Sequence, residues 1–325
     1  MLQRKRIQSY KEGKIMKKIN LLLASAIVIS LSTPVSQVKA DWQRDNVGWW
    51  YSLKYGSYFK DGRFEIDGKI YKFDSRGYMK TGWQYNECND GGYHRWYYYD
   101  PVNGDEKLGW QLIDGKWYYL TITGAVFGDQ NIDGKLYYFD PVNCDMKTGW
   151  ILRGDTDPRW YYYDPVSGEQ AENWKNIDGK WYYFKYSAFK GSREIDGKFY
   201  YFDPVNCDMK TGWILLEDPN GNLSWYYYDP ETGERLSGWQ TIDGKTYCFD
   251  EFGKPYVGRW ILIDEKQYYF DPVTYEMKVG WLELNGSRYY ADPNDGGAFA
   301  TNKTLIIDGV SYTFSSTGSV INNEP

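Results

Sequence analysis

Short aromatic runs, of which Trp181-Tyr182-Tyr183-Phe184 is typical, recur between breaks rich in Gly and Asp. In an extended strand the first and third positions of such a run share one face and the second and fourth share the other. Aromatic residues favour strands, and an Asp-Gly pair before the run supplies the two-residue turn of a β-hairpin. After the run, Asp-Pro at 140–141, 164–165, 203–204, 229–230 and 271–272 turns the chain again. Nowhere does an apolar period of 3.6 residues persist, and 34 Gly with 12 Pro would interrupt helices repeatedly. The pattern predicts an all-β chain with little or no helix.

Aligned on these runs, the chain shows thirteen segments. They begin at Trp50, Ile70, Trp96, Trp117, Leu136, Trp160, Trp181, Phe199, Trp225, Thr246, Gln267, Arg288 and Ser311. Gly-Trp punctuates the same rhythm at Trp49, Trp83, Trp110, Trp150, Trp213, Trp239 and Trp281, with Asn before Trp174 and Arg before Trp260. Asp-Pro-Val-Asn-Cys-Asp-Met-Lys-Thr-Gly-Trp occurs twice, ending at Trp150 and Trp213, as expected of a duplicated hairpin pair. A lone hairpin is marginal in water, so stacking on neighbours must stabilise it. The expected object is a solenoid, or superhelix, of stacked β-hairpins whose last one or two units, around Ser311–Phe314, form a cap.

The amino terminus changes the compartment. Lys17-Lys18, an apolar run over 21–31 and the ending Val38-Lys39-Ala40 form a secretory signal, with Met16 a candidate true start. The expected division is a signal peptide over 1–40 and a repeat domain over 41–325. Removing 1–40 takes away eight Lys/Arg and one Glu, so the net charge moves from −6 to −13. So acidic a chain disfavours nucleic acid and attracts small organic cations.

Catalytic chemistry finds little support. One histidine, His94, sits in a Gly-rich loop, which removes His-based triads and His-rich zinc sites. The acidic residues fall in repeated turns, and Asp218, Asn220 and Asn222 do not continue into a full calcium loop. No stretch outside the repeats is long enough for a catalytic fold. No enzyme, cofactor or metal is expected. Four cysteines, Cys88, Cys144, Cys207 and Cys248, are too sparse for a disulfide framework, and the matching places of Cys144 and Cys207 read as a shared turn position.

One residue in five is aromatic, more than a core of small hairpins needs. A Gly-Trp tryptophan, the first Trp of the same unit's second strand and a third-position Tyr from the next unit would make an open box of π faces, which attracts quaternary ammonium at roughly 0.5–2 kcal/mol per ring contact. The motif Gly-Trp…Ile-Asp-Gly-Lys-Trp-Tyr-Tyr-Phe-Asp…Met-Lys-Thr-Gly-Trp resembles the choline-binding repeat of Gram-positive surface proteins over about residues 47–320. That resemblance implies a hairpin superhelix, non-covalent attachment to the cell wall after secretion, and phosphocholine of teichoic and lipoteichoic acids as partner, with no membrane span. Carried over residue by residue, it implies sites at Trp83, Trp96 and Tyr119; at Trp110, Trp117 and Tyr138; at Trp150, Trp160 and Tyr183; and at Trp174, Trp181 and Tyr201. Trp213 and Trp225 form a fifth pair, whose third position is Cys248. Trp49 and Trp50 would face Lys72. Phe127 and Phe189 stand where a Gly-Trp would be, and Thr246, Gln267 and Arg288 replace the strand Trp, which marks those junctions as spacers. Long linkers in the Trp83, Trp150 and Trp213 units would splay their tryptophans. The alternative is a glucan-binding repeat module, whose similar repeats mostly lack the first-position Trp.

Overall fold

The computed structural model describes residues 40–86, 95–217, 221–258 and 260–324. The signal segment, Cys88, His94, Asp218 and Asn220 lie outside the described residues. Strand dominates at 55% of the described residues against 2% helix, as the aromatic alternation requires. The contacts form two compact units. One holds the described residues up to Asn86 with Tyr97–Lys107, and the other holds Leu108 onward with the residues just before Tyr97.

Among the described residues there are thirteen small antiparallel sheets, each built on one hairpin. In the strands Gly109–Ile113 and Lys116–Thr121, Trp110 lies opposite Tyr119 and Leu112 opposite Trp117, leaving Asp114-Gly115 as the turn. Both turn residues have positive φ, 50° and 76°, which a type I′ turn demands and which matches the twist of the paired strands. Identical register recurs at Trp174 opposite Tyr183 and at Trp213 opposite Tyr227. At the amino end it is Trp42 that lies opposite Tyr51, and Arg44 opposite Trp49. The first unit therefore starts its aromatic run at Trp49, one residue before the expected Trp50, because Asp41-Trp42 takes the Gly-Trp place.

The stacking follows one rule. Second- and fourth-position rings of most runs are buried, for example Tyr137 and Phe139 at 8% and 0% exposure, and they face the preceding hairpin; Tyr161 and Tyr226 are half-buried. First- and third-position rings face the following one. Backbone bonds tie five of the steps: Met146 N–H donates to the Trp117 carbonyl, Gln170 to Leu136, Ala188 to Trp160, Arg235 to Phe199 and Met277 to Thr246, all at 2.8 Å. Charge reinforces the same step, since the Lys of Ile-Asp-Gly-Lys reaches an acidic residue in the next hairpin's turn. Lys116 meets Asp145 at 3.5 Å, Lys180 meets Asp208 at 3.6 Å, Lys245 meets Glu276 at 2.5 Å, and Lys135 and Lys198 pair with Glu169 and Glu234. Such exposed pairs are worth at most about 1 kcal/mol each, so they set register more than stability.

The outer turns rest on their aspartates. Asp140 Oδ1 accepts from the backbone N–H of Val142 and Asn143 at 2.9 and 2.8 Å, and Asp100, Asp164, Asp203, Asp229 and Asp271 repeat the arrangement. The N–H groups of Asn143 and Val142 hold the Asp140 carboxyl down to about 2; Asp100 is also at about 2, chiefly through Lys107. Folded values below the ordinary 3.8 mean that this stability is complete above pH 3.8 and is lost as the pH falls toward 2. We therefore expect the near-ultraviolet dichroism of the packed rings to collapse within that window; a signal unchanged down to pH 2 would contradict the turn account.

Size complementarity locks the turns together. A Cβ added at Gly168 would lie 2.3 Å from Met146 Sδ, and Gly233 stands in the same relation to Met209. Where the earlier residue is Ala188 instead of Met, the following turn carries Cys207, which is fully buried in one cluster with Ala188, Tyr182 and Phe184. Cys144 and Cys207 also take the left-handed conformation, at φ 61° and 65°, that Gly168 takes at 75°. They are free, buried turn residues. Gly168→Ala is expected to destabilise its unit by about 1–3 kcal/mol through overpacking, and Met146→Ala in the same chain to relieve much of that loss. Chemical denaturation of the two variants tests this, and a lack of relief would show that the strain is not at the methionine.

Candidate functional site

Three junctions in the second unit share one geometry. Trp110 meets Trp117 at 6.3 Å between ring centroids and 84° between planes, and Tyr137 of the next hairpin at 4.9 Å. Trp150 meets Trp160 at 6.1 Å and 86°, and Tyr182 at 4.8 Å. Trp174 meets Trp181 at 6.4 Å and 81°, and Tyr200 at 4.9 Å. Two perpendicular indoles and a buried tyrosine thus wall each recess. The outer indoles Trp117 and Trp181 stay accessible at 42% and 46% exposure, and Trp160 is half-buried. Met146 and Trp110 both pack on the cluster of Ile132, Tyr137 and Phe139, and Met209 and Trp174 on that of Ile195, Tyr200 and Phe202. At the Trp150 junction the corresponding residue is Ala188.

The third ring differs from the expected one at every junction. Tyr137, Tyr182 and Tyr200 take the places assigned to Tyr138, Tyr183 and Tyr201, because the next hairpin presents its even-position face. Third-position rings stay with their own hairpin's tryptophan: Tyr119 lies against Trp110 at 5.2 Å and Tyr183 against Trp174 at 5.2 Å. Tyr138 and Tyr201 turn toward Tyr163 and Tyr228 at other junctions. Of the first set, Trp83 packs on Tyr98 at 5.0 Å in the first unit and Trp96 is 38% exposed. Tyr119 itself belongs with Trp110.

Even-position stacking also completes a set that sequence left open. Trp213 meets Tyr247, not Cys248, at 5.4 Å, and Tyr275 stacks on it at 6.0 Å, with Trp225 36% exposed. Burial pushes the Cys248 thiol up to about 11, so it stays an inert core thiol. At the amino end Trp42, not Trp50, meets Tyr71 at 4.8 Å, and the Arg44 guanidinium lies 5.4 Å over the Trp49 ring, as at the closed junctions. Lys72 lies opposite Arg63 in its own hairpin, away from the face assigned to it. The longer linker at 154–158 does not splay Trp150 and Trp160, since Leu152 pairs with Trp160 just as Leu112 pairs with Trp117 and the extra residues loop out beyond the register.

Other junctions carry their own cation. Asp129 and Ser192, not Phe127 and Phe189, occupy the Gly-Trp place in their hairpins. Beside Asp129 the Arg153 guanidinium lies 3.8 Å from the Tyr161 ring and 4.5 Å from Tyr138, and pairs with Asp129 at 2.5 Å. Beside Ser192, Arg235 lies 4.1 Å over Phe199. Arg288, at the first-strand position, lies 4.3 Å over Trp281. In the first unit Arg63 stacks 4.3 Å over Tyr97 and forks onto Glu106. A guanidinium on an aromatic face is the intramolecular equivalent of a bound ammonium, so these junctions are closed. The pattern could have been read from Arg or Asp at tryptophan places in the aligned repeats. Trp239 and Tyr268, 4.8 Å apart, line a cavity of about 340 Å³ with Thr246 and Met277, an incomplete version of the open recess.

The described residues contain no group of three or more His, Cys, Asp or Glu placed to hold a metal ion. No helix among them is long and apolar enough to cross a membrane. What fold and recesses define is a hairpin-repeat protein with open aromatic recesses at the Trp110, Trp150 and Trp174 junctions and arginine-filled junctions elsewhere.

Comparison with known proteins agrees. The family model for the choline-binding repeat matches residues 126–173 and 189–237. A structure of CbpJ from Streptococcus pneumoniae TIGR4 superimposes with a TM-score of 0.50 at 27% identity, over 87% of this chain and 100% of that one. Choline binding protein F from Streptococcus pneumoniae does so with 0.50 at 28%, over 87% and 99%. Glucosyltransferase-S of Streptococcus mutans is 31% identical over 173 residues, 46% of this chain but 12% of that protein. The chain spans only a small part of the curated relatives it matches. Residues 126–173 and 189–237 thus match choline-binding repeats, and the chain shares the hairpin-repeat fold of these choline-binding proteins.

Proposed function

We propose that the chain is a secreted, non-catalytic surface protein that holds phosphocholine residues of wall teichoic and lipoteichoic acids in its aromatic cages. The carrying observation is the threefold recurrence of two perpendicular tryptophans with a buried tyrosine, at Trp110, Trp150 and Trp174. A trimethylammonium group needs π faces and no formal charge, and each ring contributes roughly 0.5–2 kcal/mol. The Trp213 set, with Tyr247 and the exposed Trp225, extends the series. Weak sites in a row suit a polymer that repeats one ligand, since each further contact is effectively intramolecular. The chain would then tether itself to the wall, acting there as an adhesin or as a modulator of choline-dependent wall hydrolases. On a tertiary-amine resin the mature protein should be retained and released by free choline; direct passage would refute the reading.

The glucosyltransferase relatives favour a second reading, a glucan-binding module. Retention on dextran with no response to choline would put that reading first.

A further inference from the structure

The turn that closes the Trp150 cage reverses the charge found in its counterparts. Where other units carry Asp140 and Asp145, or Asp203 and Asp208, this one has Lys185 and Ser187 around the same bridge to the preceding strand end. Ala188, which replaces the methionine of the neighbouring cages, leaves a cavity of about 250 Å³ lined by Asp157, Arg159, Lys185, Lys190 and Arg193. Ala188 also borders the cage, its N–H donating to the Trp160 carbonyl at 2.8 Å.

Four cations and one carboxylate therefore meet beside an ammonium cage in a chain whose residues 41–325 carry a net charge of −13. Asp157 is engaged by Arg159 at 2.7 Å. Lys190 donates to the Pro158 carbonyl at 3.0 Å and Arg193 to the Ser192 carbonyl at 2.8 Å, which orients both side chains and leaves each with further N–H donors. Among the described residues Lys185, Lys190 and Arg193 form no ion pair, whereas the lysines of the Ile-Asp-Gly-Lys turns are paired from hairpin to hairpin.

We infer that this cavity is an anion subsite for the phosphate ester attached to the choline held by Trp150, Trp160 and Tyr182. The inference rests on the cage reading above. It makes this junction selective for a phosphate diester of choline, while the methionine-floored cages recognise the ammonium alone. The phosphate is drawn to Lys185, Lys190 and Arg193 through charge-assisted hydrogen bonds, which are short and strong where water is partly excluded.

Calorimetric titration of the full chain with choline and with glycerophosphocholine, a soluble diester, tests it. We expect one class of sites to bind the diester about tenfold tighter than choline, since hydrogen bonds to charged groups contribute about 1.5–3 kcal/mol. In the Lys185→Gln, Lys190→Gln, Arg193→Gln variant that preference should vanish with choline binding unchanged. Equal affinities in the unmodified chain, or a preference surviving in the variant, would overturn the subsite. Loss of all choline binding by both proteins would overturn the cage reading itself. Lipid headgroups carry the same ester, so sedimentation with phosphatidylcholine vesicles completes the test: the chain should stay in solution, and co-sedimentation without glycerophosphocholine binding would move the site to a membrane ligand.

Discussion

Replacing Trp49, Trp96, Trp117, Trp160, Trp181 and Trp225 together by Thr yields a folded chain that washes through a tertiary-amine resin. The first-strand position tolerates threonine, as Thr246 shows in its own hairpin. Five of these rings, Trp49, Trp96, Trp117, Trp181 and Trp225, are 36–46% exposed and do little of the packing, while the half-buried Trp160 also packs on the Tyr182 cluster and its loss costs some stability. The inner tryptophans carry the core instead, Trp174 alone touching Tyr183, Tyr200 and Phe202. Removing one outer ring weakens one cage by the roughly 0.5–2 kcal/mol of one ring contact. Removing all six also abolishes the multivalent gain, worth about 10² to 10⁴ in avidity. Retention equal to that of the unmodified chain, with the dichroism spectrum intact, would show that the cages are not what holds it.

Arg63→Ala should be the most damaging single substitution for stability in the first unit. Arg63 gives Nη2 to Glu106 Oε1 at 2.6 Å and Nε to Oε2 at 3.1 Å, and the Glu106 side chain is only 3% exposed. Losing one partner of a buried pair leaves the other charge uncompensated, a penalty of about 3–5 kcal/mol. Burial already pushes the Glu106 carboxyl above its ordinary range against the pull of Arg63, and without the guanidinium it rises further. A carboxyl raised in the folded state favours folding below its titration and opposes it above. The variant's deficit should therefore be larger at about pH 8 than at about pH 5, both clear of the turn aspartates' window. Denaturation at the two pH values decides it, and a pH-independent deficit would point to lost ring stacking on Tyr97 alone.

Much of the fold was legible because its determinants are local. Asp114-Gly115 and its counterparts specify the I′ turn, and the period of two in each run specifies a strand with two unlike faces. Which face meets the next hairpin is a property of the stack, not of any hairpin. Tyr138 and Tyr137 are both tyrosines, and only the stacking direction makes Tyr137 the cage wall. The same ignorance concealed Tyr247, hidden behind the doubt over Cys248. Arg153 was illegible for another reason, since it lies past the repeat's tryptophan at the far end of its strand and enters the junction of the preceding hairpin. The Lys-to-acid steps were half visible: the acids were read as turn formers, and Asp140 is one, but Asp145 and Glu169 reach back to lysines of the hairpin before.

The most direct measurement is a crystal of the mature chain grown or soaked with choline. The account predicts trimethylammonium groups between Trp110, Trp117 and Tyr137, between Trp150, Trp160 and Tyr182, and between Trp174, Trp181 and Tyr200. Junctions already filled by Arg63, Arg153, Arg235 and Arg288 should stay free of ligand. Choline at the arginine junctions, or none in the three tryptophan cages, would contradict it.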